Sequence, residues 1–221
     1  MPLDLVIFDC DGVLVDSEPI VNRVESEFFA TLGFALDPQA TRRRFQGLTT
    51  AQVAAAVEAE IGRAIPAEDL YSWGMATALG LIESLRPVPG VADVVAQLAA
   101  AGTKVCVASQ SPLPRVLLSL RVTELAAPFG EHVFTASMVA HPKPAPDLFL
   151  HAAERMGADP AHAVVIEDSP SGARAARAAG MTAFGYAAPG GAGPDALAAA
   201  GAQVFRAMTE LPALLASVRE R

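Results

Sequence analysis

Leu5-Val6-Ile7-Phe8-Asp9-Cys10-Asp11-Gly12 is an apolar run of four residues that ends in two acids, two positions apart, and a glycine. Periodicity alone suits such a run to a strand or to a helix. Its shortness and β-branched residues select a fully buried strand of a parallel sheet. In open α/β sheets ligands bind beyond the carboxyl ends of the strands, which is where Asp9 and Asp11 emerge. Asp4, Asp9, Asp11, Asp16 and Glu18 all precede the first cationic side chain, Arg23. Carboxylates gathered that closely repel one another unless a cation sits among them.

Outward from this strand, Ser17 as N-cap and Pro19 in the first turn predict a helix to about residue 32, stopped by Gly33. Asp16 and Ser17 are therefore a hinge candidate. The residues that follow, up to 86, contain no Val/Ile-rich run and read as helices punctuated by Pro38, Gly47, Gly62, Pro66 and Gly80. Thr50 is the expected cap of a helix over 51–61, and 67–85 forms another. Arg86-Pro87-Val88-Pro89-Gly90 is the second junction, because its prolines force an extended path before a helix over 91–101. Alternation then resumes. A strand over 104–108 delivers Ser109, Gln110 and Ser111, and Pro112 opens a helix to about 120. A short strand at 133–134 precedes the rigid loop His141-Pro142-Lys143-Pro144-Ala145-Pro146-Asp147 and a helix over 148–156. A strand over 163–166 ends in Glu167-Asp168, with Gly172 opening a helix over 173–179. Strands at 182–186 and 203–205 flank an Ala/Gly/Pro-rich stretch, 187–201, expected as a loop with a short helix. This order implies a doubly wound parallel sheet built from 1–16 and 87–221, with an all-helical insertion over 17–86.

Composition narrows the class. A chain of 221 residues, 52% hydrophobic but only 6% aromatic, builds an aliphatic core with room for a satellite domain. A net charge of -8 opposes a nucleic-acid or anionic-membrane surface, and Arg42-Arg43-Arg44 is too short a basic run to reverse that. No apolar stretch approaches the ~20 residues of a membrane span, and the N-terminus lacks the basic and apolar regions of a secretory signal. Cys10 and Cys106 read as reduced, buried thiols. A cytoplasmic protein, monomeric or a small homo-oligomer, is the expectation.

Three strand ends now offer Asp9/Asp11, Ser109 and Glu167/Asp168, and a loop offers Lys143, one of only two lysines. Phosphoryl transfer through a covalent intermediate needs such a set. Asp9 is the expected nucleophile. Asp11 would protonate the leaving alkoxide and later accept a proton from water. Ser109, the backbone N–H of Gln110 and the Lys143 ammonium would hold phosphoryl oxygens. Asp9 and Asp168, as oxygen ligands, select a hard cation such as Mg²⁺, with Glu167 on the metal or its water shell.

Phe8-Asp9-Cys10-Asp11-Gly12, the strand-terminal Ser109, Lys143-Pro144 and Glu167-Asp168-Ser169 with Gly172 resemble the motifs of the haloacid dehalogenase superfamily, within it the β-phosphoglucomutase-like phosphatases with a helical cap. Their order and separation fit over essentially the whole chain. The resemblance implies a Rossmann-like core, a cap inserted after the first strand, the Asp11 backbone carbonyl as a further Mg²⁺ ligand, and an aspartyl-phosphate intermediate. Halide-displacing members lack an acid two residues past the nucleophile, so Asp11 argues against dehalogenation. Mutases of the β-phosphoglucomutase type resemble one another in a cap Arg and a His, where this chain has Thr50 and Val21. Hydrolysis of a small phosphate ester, with a sugar phosphate first in line, is the leading expectation. Gly47, in a loop between cap helices, would approach the substrate. A sugar phosphate mutase is the alternative, more so if the Arg42–Arg44 run faces the cleft, and a phospho-accepting switch without turnover is the more distant one.

Simpler readings cover the rest. Ser111 reads as an N-cap, the arginine run as a solvated helix face, Trp73 and Met75 as core of the helical insertion, and Cys10 as packing behind Asp9. His132, His141, His151 and His162 lack metal-ligand spacing and read as surface residues.

Overall fold

All four side chains of β1 (Leu5–Phe8) are buried, as a central strand covered on both faces requires. The computed structural model describes residues 3–219. After β1 come α1 (Glu18–Thr31), α2 (Pro38–Phe45), α3 (Thr50–Ile61) and α4 (Ala67–Ser84), then α5 (Val91–Ala100), β2 (Lys104–Ser109), α6 (Leu113–Val122), α7 (Ala126–Phe129) and β3 (Val133–Thr135). The chain closes with α8 (Asp147–Met156), β4 (Ala163–Glu167), α9 (Pro170–Ala178), β5 (Thr182–Tyr186), α10 (Pro194–Ala199), β6 (Gln203–Phe205) and α11 (Leu211–Arg219). The six strands form one parallel sheet in the order β3-β2-β1-β4-β5-β6. This is the doubly wound, Rossmann-like arrangement, with the chain reversing direction across the sheet beside β1.

Alternate residues of β1 serve opposite cores. Val6 and Phe8 join Val91, Val95, Leu120 and Leu211 on one face. Leu5 and Ile7 join Phe149, Ala152, Ala175 and Ala176 on the other. A slip of one residue would exchange these sets, so the register Ile7 to Cys106 and to Val165 is fixed by packing. Cys10 and Cys106 are buried free thiols, as expected.

The helices α1–α4 have an aromatic core of their own. Phe29 meets Phe34, Phe45 and Trp73, and Phe28 stacks on Trp73 with centroids 5.4 Å apart. Trp73 is thus core, but Met75 is exposed on the far side of α4, contrary to its expected burial. Helix starts differ in instructive ways. Thr49, not Thr50, caps α3, because Thr49 and Gln52 exchange hydrogen bonds in a capping box. Asp37 caps α2 by accepting from Ala40 N at 2.7 Å, so Pro38 begins a helix rather than breaking one. Ser17 already has helical dihedrals and makes no cap bond. Ser169 caps α9, which begins at Pro170 with Gly172 inside its first turn.

The chain leaves and re-enters the sheet region side by side. Val15 bridges to Pro87, Asp16 N donates to Arg86 O at 3.0 Å, and Val88 N to Leu14 O at 3.0 Å. Among the described residues no helix is long and apolar enough to cross a membrane.

Candidate active site

Because β2, β1 and β4 are adjacent and parallel, their carboxyl ends bring Ser109, Asp9 and Glu167-Asp168 to one edge. Lys143 reaches the same point from the loop before α8. Its Nζ donates to Asp9 Oδ1 at 2.7 Å, Glu167 Oε1 at 2.7 Å and Ala108 O at 2.9 Å, and it lies 4.8 Å from the centroid of the Phe149 ring. All three ammonium protons are therefore used in a site where Lys143 is 3% exposed. Glu167 is held from its other side, Oε2 accepting from Ser169 N at 3.0 Å and Ser169 Oγ at 2.8 Å. Two glycines make the space: a Cβ on Gly172 would overlap the Glu167 carboxylate, and one on Gly12, whose φ is +79°, would overlap Asp168 Oδ2.

Asp9, Glu167 and Asp168 each present an oxygen within 4.8 Å of the others. One ammonium does not compensate three buried carboxylates. Burial pushes Asp9 up to about 8 against the pull of Lys143, with Glu167 and Asp11 adding repulsion. Asp168 is raised well above the usual carboxylate range by burial and then by Glu167. Such a cluster fits a cation, and its donors, all carboxylate oxygens, suit a hard one.

Asp11 is in a different state. Burial raises its carboxyl, but Arg115 and hydrogen bonds from Ser111 and Ser17 outweigh burial and hold it below the usual range. Arg115 donates to Oδ1 at 2.8 Å, Ser111 Oγ donates to Oδ2 at 2.6 Å, and Ser17 Oγ also donates to Oδ1. Ser17 and Ser111, both expected as helix caps, are engaged by Asp11 instead. Ser109 is buried and its Oγ accepts from Ser111 N at 3.1 Å. The Gln110 side chain donates to the carbonyl of Gly47, tying the loop after β2 to the α2–α3 loop. Gln46 from that loop reaches Asp168 Oδ2 at 3.4 Å. The cleft above these groups is roofed by Glu18, Val21, Asn22 and Glu25 of α1 and by Gln46, Gly47, Leu48 and Thr50.

The family model for the haloacid dehalogenase-like hydrolases matches residues 3–180. The chain belongs to the haloacid dehalogenase-like hydrolases. This hydrolase is 33% identical over 185 residues to hexitol phosphatase B of Escherichia coli (strain K12), covering 83% of each chain. It is 29% identical over 187 residues to 6-phosphogluconate phosphatase of the same organism, covering 84% of this chain and 83% of that one. Among solved structures, a HAD family hydrolase from Deinococcus radiodurans R1 with bound phosphate and sodium is 35% identical, with a TM-score of 0.78 over 98% of this chain and 96% of that one.

Every residue of the hydrolase singled out from sequence as catalytic, substrate-binding or metal-ligating lines this cleft: Asp9, Asp11, Gly47, Ser109, Gln110, Lys143, Glu167 and Asp168. Sequence reasoning missed Arg115, Ser111, Gln46, Glu18, Asn22 and Glu25. Arg115 had one legible signal, its place in the first turn of the helix that follows Ser109. The arginine run is only partly a solvated face. Arg43 is exposed, Arg44 pairs with Glu60 and lies over Phe34 and Phe45, but Arg42 is half-buried and pairs at 3.2 Å with Glu18, which lines the cleft. His141 pairs with Asp147 and His162 with Asp4, away from the cleft.

Proposed function

We propose that this hydrolase is a Mg²⁺-dependent phosphatase of small phosphate esters, a sugar phosphate foremost, working through an aspartyl-phosphate. The observation that carries the reading is Lys143 bridging Asp9 and Glu167 beside Asp168: an anchored nucleophile, an ammonium and a carboxylate cluster with excess negative charge. Asp9 and Asp168 would hold Mg²⁺ with their side chains and Asp11 with its backbone carbonyl. Glu167, fully engaged by Lys143 and Ser169, would act through the metal's water shell. Bound there, Mg²⁺ would supply charge neutralisation between the nucleophile and the phosphate.

In the first half-reaction an Asp9 oxygen attacks phosphorus. The ester P–O bond breaks, and the leaving oxygen takes a proton from Asp11. In the second, water attacks the phosphoryl group, gives its proton to Asp11, and the P–O bond to Asp9 breaks, freeing phosphate. Ser109 and the Gln110 backbone N–H would hold the equatorial oxygens, while Lys143, its three protons taken by Asp9, Glu167 and Ala108 O, fixes Asp9 and adds its positive charge beside the phosphoryl group. Asp11 as found here is a carboxylate clamped by Arg115, Ser111 and Ser17, the state the second half needs. The first half requires a protonated Asp11, so that clamp must loosen, and Ser17 sits where residues 17–86 join the sheet. Those residues would act as the cap that closes over the leaving group.

Hydrolysis is favoured over mutase chemistry because Val21 and Thr50 line the cleft without charge and Arg42 is engaged by Glu18. The test is phosphate release from a panel of sugar phosphates. Release with Mg²⁺, abolished by chelator and by Asp9→Asn, is the expected result. Retention of most activity by Asp9→Asn would overturn the mechanism. Conversion of an aldose 1-phosphate to the 6-phosphate without free phosphate would overturn hydrolysis.

A further inference from the structure

Glu25 has no part in the chemistry just described, yet it is 7% exposed and borders the cleft. Its carboxyl has no hydrogen-bond or ion-pair partner among the described residues; Arg115, committed to Asp11, is the nearest opposing charge in effect. A carboxyl so placed costs stability unless something fills its hydrogen-bonding capacity. Two further polar groups share this face of α1, one or two turns away. Asn22 is 8% exposed and donates to Glu18 Oε2 at 3.2 Å, leaving its amide oxygen for another donor. Glu18 also takes the Arg42 guanidinium.

The geometry points to a leaving-group subsite on α1, formed by Glu25 with Asn22 and Glu18, that accepts hydroxyl hydrogens from a neutral polyol and rejects leaving groups carrying a carboxylate or a second phosphate. This rests on the phosphatase reading. Acceptor oxygens dominate the face, which matches hydroxyl donors and repels anions. Arg115 and Arg42 keep a buried Nε without a hydrogen-bond partner, but each is offset by an acid, Arg115 by Asp11 and Arg42 by Glu18, which leaves the Glu25 carboxyl in excess on this face. Just past Glu25 the cleft opens on a groove lined mainly by apolar side chains, Trp73, Leu81, Leu117 and Leu118 among them, with Arg115 and the exposed Arg121 also lining it; an anion entering it trades water for mostly apolar contact. A carbon skeleton there, with hydroxyls turned to α1, loses nothing comparable. The distinction bears on the relatives, one named for a neutral hexitol and the other for 6-phosphogluconate.

The experiment compares kcat/KM for a hexitol 6-phosphate, 6-phosphogluconate and an aryl phosphate, in the wild type and in Glu25→Gln and Glu25→Lys. Measured at pH 8, where the Glu25 carboxyl is ionised, the expected wild-type preference for hexitol phosphate over 6-phosphogluconate is at least about a hundredfold, the scale on which a buried charge excludes its like. Glu25→Gln should cut that ratio about tenfold and Glu25→Lys should cut it further, chiefly because the carboxylate-bearing substrate binds more tightly and its KM falls. Equal use of the two substrates by the wild type, or a ratio unmoved in both variants, would overturn the subsite. Absence of phosphate release from all three, aryl phosphate included, would instead overturn the phosphatase reading beneath it.

Discussion

Replacing Glu25 by Gln should make the protein more stable in a way that depends on pH. Burial pushes this carboxyl from an ordinary 4.5 to about 7, against the attraction of Arg115 and with repulsion from Glu18 and Asp11. The span from 4.5 to about 7, at about 1.4 kcal/mol per pH unit, corresponds to about 3 kcal/mol. The folded chain binds this proton more tightly than the unfolded chain. Its contribution is therefore fully present below about pH 4.5, erodes as pH rises, and is gone above about pH 7. The amide of the variant stays neutral throughout and is isosteric with the protonated acid. Urea unfolding of both proteins at steps from pH 4.5 to pH 8 isolates the effect, since other titrating groups cancel in the difference. The variant should match the wild type at the acid end and exceed it by about 3 kcal/mol at pH 8. A difference that stays flat across the range would refute the burial argument, and one that turned against the variant at high pH would mean Glu25 has a cationic partner after all. A gain in stability together with a loss of discrimination is the pattern of a group kept for binding at the expense of the fold.

Lys143→Met leaves Asp9 and Glu167 buried without their cation, so stability at pH 8 should fall by about 3–5 kcal/mol, and by less at pH 5, where Asp9 takes up a proton; urea unfolding at both values checks this. Phosphate release by the same variant should drop by about a hundredfold or more. Gly172→Ala drives a Cβ into Glu167 and should cost several kcal/mol, whereas Gly62→Ala, facing open space at φ +69°, should cost about 1–2 kcal/mol; thermal unfolding of the pair separates overlap from backbone strain. Arg115→Met lets burial prevail at Asp11 and raises its pKa, so the acid limb of the kcat profile should move up by about one pH unit or more. An unmoved limb would mean that the guanidinium does not control the proton on Asp11.

The sheet and the cluster at its edge were legible because both rest on short, strong signals. Four apolar residues before Asp9 define a buried strand, and acids at strand ends followed by glycines have few other uses. Thr50 yields the α3 cap to its neighbour Thr49, which Gln52 three residues on completes as a capping box, whereas Ser17 and Ser111 depart from the expected capping for a different and common reason. A hydroxyl near a helix start has two local options, and only the fold decides whether a distant carboxylate such as Asp11 outcompetes the helix. Met75 was misplaced because α4 carries apolar residues on more than one side, and the sequence does not say which side meets Phe28 and Phe29. Glu25 gave no signal, and Arg115 only its place in a first helical turn, for a deeper reason. Each is an ordinary charged residue on a helix, and what makes it a site residue is the approach of α1 to α6 across a cleft between segments distant in the chain.

The neighbouring passage of the chain at Val15 and Pro87 also has a bearing on the length of what lies between. Residues 17–86 depart and return across a single hydrogen-bonded step, so for the sheet the whole excursion counts as one closed loop. Closure entropy grows only with the logarithm of loop length, by roughly 0.6 kcal/mol per doubling. The cost of closing the excursion therefore barely depends on its length, so its length can change while Asp9, Lys143 and Asp168 keep their places.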